Sequence, residues 1–348
     1  MPFQPDFIPS VGSSPSDKWR NVLGAGVIAA AVLGIGLHSL FGNVQTKLVR
    51  VTGETANAQA ATTTDSLPAG GGDLAVSPAF PQPLLIPVLQ GEMLSEGAFS
   101  ADNILVKDAQ SGSVLYHKNE YQPHAMASIS KLMSALVFLE TSPQWSATAT
   151  VPTDDILDTH MYAGDTYTVQ ELWLAALVGS SNKAILALVD ASAWSRTAFV
   201  ERMNEKAREL GMGDTFFVDP TGLSEENVSS ASDILMLFRE ALAHDEIKNA
   251  LRTAEHTVYS KERGKSHHMW NTNWLLLQWI PHTFEIHGGK TGYIAASGYN
   301  FVTELSDKSG RTLDVVVLGA DTHEARFTEA RDVATWVFEH YQWPETQK

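Results

Sequence analysis

From Val22 to Phe41 the chain reads VLGAGVIAAAVLGIGLHSLF, twenty residues without one formal charge. At about 1.5 Å rise per residue a helix of that length is roughly 30 Å long, the hydrocarbon thickness of a bilayer. Its richness in Ala and Gly and its isolation at the N-terminus argue against a buried core helix. Ala58-Gln59-Ala60 has the small-x-small form of a cleavage site, but it lies well past the apolar run, with Lys47 and Arg50 in between. The expectation is therefore an uncleaved transmembrane signal-anchor over 22–41, preceded by a tail at 1–21. Lys18 and Arg20 precede the run and Lys47 and Arg50 follow it, so the positive-inside count is tied.

The segment 42–98 contains TANAQAATTT, PAGGG and SPAFPQPLLIP. Small, polar and Pro-rich stretches bury little apolar surface, which predicts a flexible tether. The apolar patch Leu84–Leu89 is a candidate for docking on the domain C-terminal to it. A globular texture begins near Phe99, so 99–348 is expected to form one folded domain. The net charge of -16 lies mostly on that domain: residues 1–98 carry four basic against seven acidic side chains, the remainder 20 against 33. Such an acidic surface argues against binding nucleic acid. The chain has no cysteine, which removes disulfides, thiolate metal sites and a cysteine nucleophile.

Asn103–Lys107 and Ser113–His117 read as two strands of a hairpin around the turn Asp108–Gly112. Between Met126 and Glu140, apolar residues at 129, 132, 133, 136 and 137 predict an amphipathic helix with Ser128 at its start. A serine there is an ordinary N-cap. Residues three apart share a helix face, however, so Lys131 can lie beside the Ser128 hydroxyl. A lysine in a partly dry cleft has a lowered pKa and can act as a base. Ser-x-x-Lys alone is a weak signal, since it recurs at Ser180–Lys183. A second helix over Thr168–Val178 is broken by Gly179-Ser-Ser-Asn182, which puts Ser180 and Asn182 on a helix–helix turn or at a cap. A third element, His287-Gly-Gly-Lys-Thr-Gly-Tyr293, has glycines on both sides of Lys290-Thr291, as if a ligand approached the backbone closely. It is no phosphate loop, because Phe284 stands where that loop needs a glycine.

The order Ser-x-x-Lys, Ser-x-Asn, Lys-Thr-Gly is the motif set of penicillin-binding proteins and related β-lactamases. From Asn103 to Tyr341 the chain resembles the D-alanyl-D-alanine carboxypeptidases, the low-molecular-mass penicillin-binding proteins of serine peptidase family S11. The resemblance extends to Tyr167-Thr-Val-Gln-Glu-Leu, Met203-Asn-Glu-Lys-Ala, Phe217-Val-Asp-Pro-Thr-Gly-Leu223, Asn271-Thr-Asn273 and Val316-Val-Leu-Gly-Ala320. Met126, Lys183 and Ile294-Ala-Ala-Ser-Gly298 depart from the usual family residues, which bears on substrate preference more than on chemistry.

The resemblance implies an α+β fold of the serine β-lactamase and transpeptidase kind: an antiparallel sheet flanked by helices, plus a helical lobe. It implies acyl transfer, with Ser128 as nucleophile, Lys131 as base and Ser180 relaying a proton to the leaving amine. Asn182, Lys290, Thr291, Gly292 and Tyr293 would bind substrate, with the backbone N–H groups of Ser128 and Tyr293 as the oxyanion hole. The implied partners are peptidoglycan stem peptides ending in D-Ala-D-Ala, and β-lactams as inhibitors, with no metal and no cofactor. A D,D-endopeptidase is an equally compatible activity, and a silent wall-binding protein is the alternative outside enzymes. No glutamate loop of the β-lactamase kind is found between Asn182 and Lys290. Arg326 is read either as meeting a substrate carboxylate or as paired with Glu324 or Glu329, and His267-His268 as solvated surface. With peptidoglycan as substrate, the tied charge count resolves to a cytoplasmic N-terminus and a domain on the periplasmic side of a bacterial membrane.

Overall fold

A computed structural model describes residues 86–344, apart from 157 and 159. The expected span 22–41 and most of the expected tether lie outside the described residues. Among the described residues no helix is long and apolar enough to cross a membrane.

The frame is a five-stranded, wholly antiparallel sheet. Its strands are β1 (Asn103–Asp108), β2 (Val114–Lys118), β5 (Glu285–Ile294), β6 (Gly298–Ser306) and β7 (Thr312–Ala320), in the spatial order β5-β6-β7-β1-β2. The hairpin expected at the start of the domain is β1–β2, with the first strand one residue longer than expected and the second shifted by one. A separate hairpin, β3 (Glu255–Ser260) with β4 (Lys265–Trp270), stands outside this sheet.

Both faces of the sheet are buried, and the period-2 alternation of a strand divides its residues between two cores. Ile104, Val106, Val315 and Val317 face one side, where the helix α7 (Ala325–His340) packs Phe327, Ala330, Val333 and Val337 against them. Leu105, Val302, Val316 and Leu318 face the other side and join the core of the helical lobe. Each Val or Leu so buried stabilises the fold by roughly 1.5–3 kcal/mol relative to exposure, which is why the strands read as near-continuous apolar runs.

The helical lobe comprises α1 (Lys131–Glu140), α2 (Val169–Leu177), α3 (Asn182–Ala191), α4 (Arg196–Glu209), α5 (Ala231–Leu242) and α6 (Asp245–Arg252). The apolar stripe read at 129–137 is buried as expected, but α1 is buried on nearly every side, not amphipathic. Ser134 and Ala135 make that possible: their small side chains admit close neighbours, and the Ser134 hydroxyl donates to the Pro220 carbonyl at 2.6 Å. α2 begins at a capping box, with Thr168 Oγ1 accepting from Glu171 N while the Glu171 carboxylate accepts from Thr168 N.

Part of the docking patch is seen in place. Val88–Leu89 pairs antiparallel with Tyr341–Gln342, and Gln90 N donates to the His340 carbonyl at 2.7 Å. Ordered structure therefore starts ahead of Phe99.

Candidate active site

Ser128 does not cap a helix. It sits in a 3-10 turn, Ala127–Ser130, which feeds α1 without any side-chain cap. The turn is entered through Ala127 at φ 49, a left-handed conformation uncommon for a residue with a Cβ. Two glycines hold it there. Gly222, at φ +83, faces the Ala127 carbonyl so closely that a Cβ would collide with it. A Cβ on Gly292 would stand 2.7 Å from the Met126 carbonyl oxygen and 3.2 Å from Ser128 N. The glycine of Lys-Thr-Gly thus admits the protein's own backbone, where the sequence suggested a ligand. Gly289 is similar: its absent side chain leaves room for Asn273 and the Val302 carbonyl.

Lys131 is fully buried directly behind Ser128. Its Nζ lies 2.8 Å from Ser128 Oγ, 2.7 Å from Asn182 Oδ1 and 2.6 Å from the Thr221 carbonyl. Burial pulls its pKa from the ordinary lysine range down to about 7, against the opposing pull of the Asp219 and Asp158 carboxylates. The expected Ser–Lys pair is therefore formed, with Asn182 as a third member.

Ser180 holds a left-handed φ of 58, and the cap of α3 falls to Ser181, whose Oγ accepts from Ala184 N. Neither Ser180 nor Asn182 is the cap. Ser180 Oγ instead receives Lys290 Nζ at 2.8 Å, and the same amine donates to the Thr291 carbonyl at 2.9 Å. Burial holds Lys290 well below the ordinary lysine pKa, reinforced by the positive charges of Lys131 and Arg326.

Strict alternation sends Lys290 and Thr291 to opposite faces, and it does so here. Lys290 is opposite Val302, on the helical-lobe side, and Thr291 is opposite Phe301, on the α7 side. Thr291 lines the cleft directly, whereas the buried Lys290 serves it from behind, through Ser180 Oγ; β5 is an edge strand, so its end is open to both sides. Thr291 Oγ1 donates to Thr272 Oγ1 at 2.7 Å. Ser128, Ser180, Thr291, Gly292 and Tyr293 all line the cleft, which holds about 680 Å³.

Arg326, on α7, lines the same cleft and pairs with neither Glu324 nor Glu329 in any described ion pair. Glu329 is occupied by Ser100 and the Ala101 N–H. The guanidinium donates through Nη1 to the Gly292 carbonyl at 3.1 Å and lies 4.8 Å from the Phe327 ring centroid, while its Nε is buried without a partner. Burial lowers its pKa to about 10. Among the described residues this is a desolvated cation with no carboxylate, beside Thr291.

A sequence profile of the D-alanyl-D-alanine carboxypeptidases, peptidase family S11, matches residues 91–322. The chain belongs to the D-alanyl-D-alanine carboxypeptidase family. It is 30% identical over 266 residues to D-alanyl-D-alanine carboxypeptidase DacF of Bacillus subtilis, covering 72% of this chain and 66% of that relative, just under two thirds of its length. It is 34% identical over 240 residues to a D-alanyl-D-alanine endopeptidase of Haemophilus influenzae, covering 66% of this chain and 80% of the relative. Penicillin-Binding Protein D2 from Listeria monocytogenes, solved in an ampicillin-bound form, superposes with a TM-score of 0.60 at 28% identity, covering 72% of this chain and all of that one. The fold is that of the penicillin-binding proteins, as the sequence implied.

Two supports of this carboxypeptidase-family site were not assigned from sequence. Asp158 accepts from Ser181 Oγ, Lys183 N, His160 N and Met161 N, and so ties its loop to the start of α3. Asp219 accepts from Thr221 N, Gly222 N and Ser224 N, and so shapes the turn that presents the Thr221 carbonyl to Lys131. The second was foreshadowed by Asp-Pro-Thr-Gly, a turn composition. The first had no local signature. His267 is not simply solvated, since its Nε2 lies 3.2 Å from His160 Nδ1.

Proposed function

We propose that the chain is a serine D-alanyl-D-alanine carboxypeptidase acting on peptidoglycan stem peptides. The observation that carries this reading is the buried Lys131 amine 2.8 Å from the Ser128 hydroxyl. Titrating near neutrality, that amine is neutral often enough to accept the Ser128 proton as the hydroxyl attacks the penultimate D-Ala carbonyl. The Ser128 Oγ–C bond forms, and the amide C–N bond breaks. The leaving amine takes its proton through Ser180, whose hydroxyl is oriented by Lys290. Water then hydrolyses the Ser128 ester.

The developing oxyanion would be met by the N–H groups of Ser128 and Tyr293. The close approach of Gly292 to Ser128 N supports that pairing, and losing one such donor typically costs roughly 10²–10³ in rate. Asn182 would hold a substrate amide while supporting Lys131. Thr291, Lys290 and Arg326 would receive the terminal carboxylate, with the strongest support that Arg326 lines the cleft and pairs with no carboxylate among the described residues. β-Lactams would acylate Ser128 by the same route. An N-terminal anchor at 22–41, with the domain on the periplasmic side, puts the enzyme where this substrate is made.

The test uses the full chain in detergent with labelled penicillin and with a peptide ending in Lys-D-Ala-D-Ala. A Ser128-dependent adduct and released D-alanine are expected. Absence of both sinks the reading, and release without an adduct sinks the mechanism.

A further inference from the structure

His124 stands four residues before Ser128, and Ser297 stands four residues after Tyr293. One hydrogen bond joins them across 173 residues of chain: His124 Nε2 lies 2.8 Å from the Ser297 carbonyl oxygen. A carbonyl can only accept, so Nε2 carries the proton and donates. The ring is fitted to its place. Its side chain is only 14% exposed, and a Cβ on Gly319 would stand 2.9 Å from its Cε1, so that glycine provides the slot. The other ring nitrogen, Nδ1, faces Asp102 Oδ2 at 4.0 Å, beyond hydrogen-bond distance. The bond to Ser297 is therefore what this side chain does.

Each end of the bond is tied to one of the two N–H groups that would meet the oxyanion. On the serine side, His124–Ala125 pairs with Val228–Ser229, Met126 N donates to the Asn227 carbonyl at 2.9 Å, and the Ala125 carbonyl accepts from Asn300 Nδ2 at 2.8 Å. The chain from His124 to the left-handed Ala127 has little freedom left, so a shift at His124 is carried on to Ser128 N. On the strand side, the buried Ser297 accepts through Oγ from Ile294 N at 3.1 Å, and its own N–H donates to the Ile294 carbonyl at 3.1 Å. Ile294 N belongs to the peptide that follows Tyr293, so the Ser297 carbonyl and the end of β5 move together. Gly292 lets the two segments approach, but packing alone permits them to slide. A directional bond at 2.8 Å does not. Two donors must meet one oxygen at about 2.7–3.1 Å each, and a misplacement of about 1 Å can cost on the order of a hundredfold in rate.

Resting on the carboxypeptidase-site reading, we propose that His124 is a positioning residue for the oxyanion hole, and that its bond to the Ser297 carbonyl fixes the separation of the Ser128 and Tyr293 N–H groups. Ser297 belongs to the stretch 294–298 that departs from the usual family residues. The tie from His124 is how a chain with its own turn after Lys-Thr-Gly keeps the two donors in register. His124 transfers no proton and touches no substrate. Its effect falls on the tetrahedral state, where negative charge develops on the oxygen, and not on binding of the ground state.

The experiment uses the full chain in detergent with the variants His124→Ala, His124→Asn and His124→Gln. Glutamine carries its amide nitrogen out to where His124 Nε2 stands, whereas asparagine stops one bond short. Penicillin acylation is separated into the initial binding constant and the first-order acylation rate, each followed against pH, and D-alanine release from a peptide ending in Lys-D-Ala-D-Ala gives kcat. The alanine and asparagine variants are expected to lose about tenfold to a hundredfold in acylation rate and in kcat. Their initial binding constants should stay within about twofold of the wild type, and the pH at which the rate rises should not move, because the base is untouched. Glutamine should return the rate to within about threefold of the wild type. The asparagine and glutamine variants decide the matter even where the alanine variant does not fold. An unchanged rate in His124→Asn, an equal loss in His124→Gln, a loss confined to initial binding or a displaced pH profile each overturns the proposal. Absence of both the Ser128 adduct and released D-alanine in the wild type overturns the reading beneath it, which no variant measurement mimics.

Discussion

Lys290 Nζ donates to Ser180 Oγ at 2.8 Å, joining the edge strand of the sheet to a turn 110 residues earlier in the chain. Both side chains act on one proton path, so they are expected to act as a unit. Ser180→Ala and Lys290→Ala should each slow penicillin acylation by roughly 10²–10⁴-fold, the usual worth of positioned acid–base catalysis. The double variant should be no slower than the worse single one. Second-order acylation rates check this, and a multiplicative double loss would show that the two act separately.

Acylation should depend on pH through Lys131. Its pKa of about 7 means that the reactive neutral amine is scarce in acid and dominant above neutrality. The rate should therefore rise about tenfold per pH unit below that point and level off above it. A rate that stays flat from acid to neutral pH would remove Lys131 as the base.

Asp158 raises the Lys131 pKa through its negative charge while tying its loop to α3. Asp158→Asn keeps the side-chain volume and removes the charge, together with one of the two accepting oxygens. The protonated amine loses stabilisation, so the acid limb of the acylation profile should move to lower pH. A limb that stays put, or moves upward, contradicts this electrostatic role.

Gly222 has φ +83 and faces the Ala127 carbonyl without room for a Cβ. Gly222→Ala should cost about 1–3 kcal/mol from backbone strain and collision. It should also slow acylation, because the displaced carbonyl belongs to the peptide that presents Ser128. Thermal melts and acylation rates measure the two effects, and an unchanged acylation rate would mean that the turn tolerates the shift.

Local chemistry was the legible part of this fold. The 129–137 stripe located α1, the Asn103–His117 alternation located the first hairpin, and three short motifs located Ser128, Ser180 and Lys290. What the chain pattern does not carry is what these elements do to one another. The stripe said amphipathic because Ser134 and Ala135 look polar or neutral, yet small residues are what a fully enclosed helix uses to admit neighbours. Alternation separates Lys290 from Thr291, and the Ser180 hydroxyl, which the turn before α3 brings to Lys290, is what links the buried amine to the cleft that Thr291 lines. Asp158 makes only tertiary contacts beyond its own turn, so no spacing in the sequence announces it. Arg326 carries two readings in the sequence, a substrate carboxylate or a pairing with Glu324 or Glu329, and only the tertiary contacts that occupy Glu329 with Ser100 and Ala101 decide against the Glu329 pairing.

The pairing of Val88–Leu89 with Tyr341–Gln342 makes the folded part a closed circuit. The chain enters and leaves the domain side by side, on neighbouring backbone strands. A tether attached at either end would therefore hang the cleft from the same point and present it in the same direction. The catalytic unit is in this sense indifferent to the polarity of its attachment, and a circular permutant joining the two ends by a short loop should keep its acylation rate.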